Sequence, residues 1–121
     1  MALAVTKTQL DNGLTVVLKE MHHAPVATFM IWYRVGSRNE IPGRTGVSHW
    51  VEHMMFKGTP QHPGHLLDRM ISREGGHWNA FTWLDYTAYY ETMPADRIDI
   101  ALRLEADRMA NTTMPDRKSV V

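Results

Sequence analysis

The chain has 121 residues, 13 basic and 13 acidic side chains, a formal net charge of zero and no cysteine. That length fits one compact domain, residues 1–121, with a modest core. Balanced charge without a basic stripe argues against a nucleic-acid partner, and the lack of cysteine excludes a disulfide frame or a thiolate metal site. Any bound metal must therefore be held by histidine and carboxylate.

The segment Met1 to Lys7 has no charged leader followed by an apolar stretch, so no signal peptide is expected. The longest apolar run, Phe29 to Tyr33, is too short to span a bilayer. The expectation is a cytoplasmic protein with no membrane partner. At the other end, Ser119-Val120-Val121 closes on an apolar pair where domains usually finish in polar residues, which reads as the front piece of something longer.

Thr6 to Lys19 reads as a β-hairpin, with Leu14, Val16 and Leu18 alternating after a turn at Asp11-Asn12-Gly13. Ala27 to Val35 is a second β-rich run with apolar residues on both faces, which predicts a central strand covered on two sides. Gly36 to Gly43 is a polar loop. A helix follows, with Thr45 as its predicted N-cap and Gly58 where it closes. Thr59 to Gly64 is loop, and Leu66, Leu67, Met70 and Ile71 mark a short helix ending at Gly75-Gly76. His77 to Thr82 and Tyr86 to Thr92 form a strand pair around Trp83-Leu84-Asp85. From Asp96, a predicted N-cap, Ile98, Ala101, Leu102 and Met109 carry a third helix. The order β-β-β-α-α-β-β-α predicts an α+β fold, a largely antiparallel sheet with helices packed on it.

The chemistry concentrates in His49-Trp50-Val51-Glu52-His53. At about 100° per residue, two histidines four apart point within about 40° of each other, close enough to share one cation. Glu52 falls about 60° to the other side of His49, still on the same side of the helix, and can reach a water held by that cation. Two imidazoles with an adjacent base are what a hydrolytic zinc site takes from its main helix, here in the inverted order H-x-x-E-H. Val47, Trp50, Val51, Met54 and Met55 keep helical spacing and predict a buried stripe opposite these three residues. Random placement of 7 histidines and 6 glutamates in this length gives about 0.02 such pentapeptides. The bland alternative is a pair of surface histidines flanking an exposed glutamate.

Other candidates carry less. His22, His23, His62 and His65 lie in loops and read as solvated, and His77 opens a strand, where packing is the expected role. The nine methionines sit at core spacing. Asn79-Ala80-Phe81-Thr82 follows two glycines; it could pair with an extended peptide by strand addition, although by local pattern an ordinary sheet strand is favoured.

Several motifs together resemble one family. Val35 to Glu40, Gly43 and Gly46, His49 to His53 with Met54-Met55-Phe56-Lys57-Gly58-Thr59, Gly75 to Thr82 with Asp85, Thr87, Tyr89 and Tyr90, and Leu104 to Met109 are similar to the pitrilysin/insulinase (M16) zinc metallopeptidases. The likeness is to their bacterial processing-peptidase branch. It implies a zinc endopeptidase of peptide or unfolded protein substrates, with His49 and His53 as Zn2+ ligands and Glu52 as general base toward the zinc-bound water. It also implies Asn79 and Ala80 as main-chain contacts on an edge strand, and further M16 domains or a homologous subunit as partners. The family's third ligand, a later glutamate, falls beyond Val121, with Asp116 where relatives carry a supporting acidic residue. Neither Glu105 nor Asp107 is cast as the ligand. The rivals are an inactive or accessory fragment of the same fold, and a peptide-binding module lacking the third zinc ligand.

Overall fold

The computed structural model describes residues 4–113. Strands β1 (Val5–Gln9) and β2 (Thr15–Lys19) form the predicted hairpin. Gly13 takes φ +89°, and the Asn12 Oδ1 atom accepts the Leu14 N–H at 3.0 Å, so the turn chemistry acts where the sequence places it. Strands β3 (Val26–Tyr33), β4 (His77–Thr82) and β5 (Thr87–Pro94) make an antiparallel sheet in the order β3-β5-β4. Helices α1 (Val47–Met54), α2 (Gly64–Arg73) and α3 (Ile98–Asn111) complete the expected element order. No described helix is long and apolar enough to cross a membrane.

The predicted central strand is an edge strand among the described residues: β5 lies in the middle, and Val26, Met30 and Trp32 on β3 are exposed. Apolar residues on both faces do not require two covering layers here. On the face without a helix, Trp32 packs edge-on against Phe81 and Tyr86 of neighbouring segments, so an aromatic cluster takes the place of a covering layer. The opposite face carries the core. There Leu67 and Ile71 of α2, Ala101 and Leu104 of α3 and Met93 of β5 are buried together, with Phe29, Trp78 and Ile98 against them. A side chain at Gly76 would fall 2.1 Å from the Met93 sulfur, which is why the turn after α2 needs glycine there.

Two predicted caps also differ. Asp96 lies inside a 3-10 turn, Ala95–Arg97, and α3 starts after Arg97 without a side-chain cap. Thr45 likewise caps nothing: the residue before α1 is Gly46, at φ +87°, a conformation that suits glycine. The orphan N–H groups of α1 are satisfied from a distance. Glu40, in the preceding loop, accepts from Gly46 N–H at 3.0 Å and Ser48 N–H at 2.9 Å.

A buried charged cluster sits between β5 and α3. Glu91, Glu105 and Arg108 are each about 1% exposed, and Arg108 Nη2 lies 3.1 Å from Glu105 Oε1. One cation cannot neutralise two carboxylates, so burial first and the neighbouring Glu105 next push Glu91 up to about 10.

Candidate metal centre

Helix α1 packs against β4, meeting it at Thr82, the strand's last residue, and its last turn is continued by a 3-10 turn, Met55–Lys57. It brings His49 and His53 together: their Nε2 atoms are 3.0 Å apart and their ring centroids 4.5 Å. One donor atom from each of His49, Glu52 and His53 falls within 4.8 Å of the others, and both histidines are exposed. Two nitrogens on a tetrahedral zinc with ordinary bond lengths are about 3.3 Å apart, so the pair suits that ion.

The helix is rotated relative to the predicted stripe. Met54 and Met55 are buried, but Val47 is 46% and Trp50 51% exposed, while Glu52 is only 7% exposed. The reason is β4. Thr82, on the face of the sheet that meets α1, donates its hydroxyl to Glu52 Oε2 at 2.5 Å, so the glutamate side of the helix packs as well as the methionine side. No Lys or Arg pairs with Glu52 among the described residues. A carboxylate held this far from water without a cation is costly, and an ion shared by the two imidazoles would supply the missing positive charge. The residues present fit a divalent metal on both counts.

A cleft of about 420 Å³ opens beside this group, lined by Ser37, Glu40, His49, Glu52 and the stretch Ala80 to Thr82. Glu40 is held below the usual carboxylate range, first by the Ser48 N–H and then by the Gly46 N–H, so it stays ionised while it closes the helix end at the cleft wall. Ala80 stands opposite Tyr89 in the sheet and faces the cleft; Asn79 stands opposite Tyr90 on the other face. The structure therefore brings Ala80 to the cleft that His49 and Glu52 line and turns the Asn79 side chain away. Asn79 still touches the strand, since its Oδ1 accepts the Ala80 N–H at 2.8 Å. Among the described residues β4 pairs with β5 alone, leaving its other edge open.

The remaining histidines lie elsewhere. His22 makes an exposed contact with Glu20, and His77 sits near Tyr90. His62 is not the solvated loop residue that its position predicts: its Nδ1 is 2.8 Å from Asp107 Oδ2, which also accepts the Thr59 hydroxyl. His62, then Thr59 and Asn111, hold the Asp107 carboxyl down to about 2. This lock ties the 59–62 loop to α3. Asp116 and the segment after it lie outside the described residues.

Sequence reasoning missed Glu40 and Thr82. An acid seven residues before a helix is a weak signal for a cap, and Thr82 gives no local signal, because its partner is 30 positions away.

Residues 15–119 match the insulinase family, peptidase family M16. The chain belongs to that family. Among its relatives, cytochrome b-c1 complex subunit 1 of Bos taurus is 37% identical over 90% of the chain and 22% of its own length. An uncharacterized zinc protease of Streptomyces coelicolor is 34% identical over 93% of the chain and 24% of its own. The mitochondrial-processing peptidase subunit beta of Lentinula edodes is 35% identical over 87% and 22%. The crystal structure of a protease from Helicobacter pylori superposes with a TM-score of 0.91 at 31% identity, over 98% of this chain and 29% of that one. The M16 chain thus shares the α+β architecture of that solved protease, and it spans under a quarter of the length of these curated relatives.

Proposed function

We propose that this chain carries the metal-binding part of a zinc-dependent endopeptidase that cleaves extended peptides. The observation that carries the reading is the convergence of His49 and His53, with Nε2 atoms 3.0 Å apart, beside a buried Glu52 at the mouth of the Ala80 cleft. His49 and His53 would hold Zn2+, which supplies Lewis acidity for activating water and stabilising charge on a carbonyl oxygen. Glu52 is the general base. Thr82 holds its Oε2, which leaves Oε1 to take a proton from the attacking water and return it to the departing amine.

The open edge of β4 orients the substrate. An extended peptide adds to such an edge through main-chain hydrogen bonds, which gives affinity with little demand on side-chain identity. Asn79 has a placeholder role here: its Oδ1 occupies the Ala80 N–H, and swinging it aside frees that donor for a substrate carbonyl. The small side chain of Ala80 keeps the cleft floor low. The third protein ligand would come from a glutamate after Val121, and further M16 domains or a homologous subunit would complete the enzyme. Relatives named as subunits support that assembly.

A second reading has one observation in its favour. A relative 37% identical to this chain is named as a subunit of the cytochrome b-c1 complex rather than as a peptidase. On that reading the chain is an accessory module of the same fold. Zinc content by mass spectrometry and hydrolysis of a quenched peptide by the full-length protein separate the two. Glu52→Gln is expected to keep zinc and to lower turnover by ~10²–10⁴. Unchanged turnover in that variant would remove Glu52 from the mechanism, and a zinc-free wild type without hydrolysis would favour the accessory module.

A further inference from the structure

The buried guanidinium of Arg108 is used by nothing in the preceding mechanism. It lies 5.2 Å from the ring centroid of Phe56, 5.2 Å from that of Trp78 and 4.8 Å from that of Tyr89. Its nitrogens make no hydrogen bond among the described residues, and its one charge contact is with Glu105. A buried cation satisfied mainly by ring faces is an unusual way to fill a core, since apolar side chains of the same volume pack there without a desolvation penalty. What the cation adds is direction. Ring quadrupoles attract it through their faces, so three rings must keep a set orientation around one point.

Those rings come from three different segments. Phe56 follows His53 by three residues, in the turn that continues α1. Trp78 is on β4, two residues before Ala80 and on the same face; Tyr89 on β5 is the register partner of Ala80. On the other side of Ala80, two residues on, Thr82 holds Glu52. Helix α1 is thus fixed to β4 at two points that bracket Ala80: a hydrogen bond at Thr82 and the aromatic cage at Trp78. We infer that Arg108 is a positioning residue, which sets the spacing between the helix bearing His49, Glu52 and His53 and the open edge of β4. As a statement about catalysis this rests on the peptidase reading; as a statement about spacing it does not.

The test uses Arg108→Met combined with Glu105→Gln, so that the carboxylate paired with the guanidinium is not left buried alone, and Arg108→Lys, in the full-length protein. Because the chain has no native cysteine, nitroxide labels at the exposed positions Trp50 and His77 report the distance from α1 to β4 by electron paramagnetic resonance, provided any other cysteines of the full-length protein are first removed. In the double variant the distance distribution is expected to broaden or shift. Zinc should still be bound, because His49 and His53 share one helix and keep their mutual spacing. The kcat should fall ~10–10²-fold with little change in KM, as expected when reacting groups move by about 1 Å. Lysine keeps the charge without the planar fork, and its losses should be smaller. A double variant with the wild-type distribution and kcat overturns the inference. If the double variant does not fold, Arg108→Lys decides: indistinguishable from wild type in both readouts, it overturns the role of the guanidinium. A wild type that hydrolyses nothing sinks the peptidase reading alone, and the distance measurement still decides the spacing.

Discussion

Thr82→Val isolates the contact that aims the general base. The hydroxyl donates to Glu52 Oε2 at 2.5 Å, Glu52 is almost fully buried, and Thr82 is half-buried. Valine keeps the shape of the cleft floor and removes only the donor. A hydrogen bond to a charged group is worth about 1.5–3 kcal/mol. If that energy serves to hold Oε2 so that Oε1 faces the attacking water, its loss lowers kcat by roughly 10–10²-fold. Since neither His49 nor His53 touches Thr82 through a hydrogen bond, zinc stoichiometry should stay at the wild-type value. The assay is steady-state hydrolysis of a quenched peptide by the full-length protein, with zinc measured on the same preparation. A double-mutant cycle sharpens it: in a Glu52→Gln background the valine substitution should cost little further activity, because the group it aims is already gone. An unchanged kcat in Thr82→Val, or full additivity with Glu52→Gln, would show that Thr82 does not orient the base.

Two further outcomes follow from contacts around the cleft. In Gly36→Ala the added carbon would sit 2.2 Å from the Trp83 carbonyl oxygen, at a junction where Ser37 N–H donates to Trp83 and Arg38 N–H to Leu84. Overpacking with strained backbone hydrogen bonds should lower unfolding free energy by about 2–4 kcal/mol in urea denaturation; a change within experimental error would show that this junction yields freely. Asp107 is held down to about 2 from an ordinary 3.8, so the stability it contributes is complete above pH 3.8 and is lost as pH falls toward 2. Removing its principal donor in His62→Ala should flatten that acid-side slope and move the carboxyl titration upward by NMR; an unmoved titration excludes His62 as the cause.

Element order was legible because each boundary has a local cause. Asn12-Gly13 makes a turn wherever it sits, Gly75-Gly76 ends a helix, and alternating residues on both sides of Trp83-Leu84-Asp85 make a hairpin. The spacing of His49, Glu52 and His53 is likewise internal to one helix, so their convergence could be read from 3.6-residue periodicity. What the chain partners with across space could not. Which side of α1 is buried depends on Thr82, 30 residues further on, and a hydrophobic stripe alone pointed away from Glu52. The helix cap came from Glu40 because Gly46 has no side chain to offer, and Thr45 was the nearer but wrong choice. Arg108, in a helix of ordinary amphipathic pattern, gives no hint that it ends among three rings.

The relatives differ in what they are named for, yet three of them are 34–37% identical to this chain, so overall likeness does not separate hydrolysis from an accessory role. Within this chain, Glu52 is the side chain whose energetics can be tested without a substrate. A carboxylate 7% exposed, with one hydroxyl donor and no cationic side chain beside it among the described residues, is expected to cost the metal-free protein stability. Glutamine has the same shape, can still accept from Thr82 and carries no charge. In the presence of a chelator, Glu52→Gln should therefore melt at a higher temperature than wild type. With zinc on His49 and His53 the order should reverse or close, because the ion then stands beside the charge that burial penalises. A melting difference that is the same with chelator and with zinc would mean that no metal binds next to Glu52, and the histidine pair would have to be explained as two surface rings in contact.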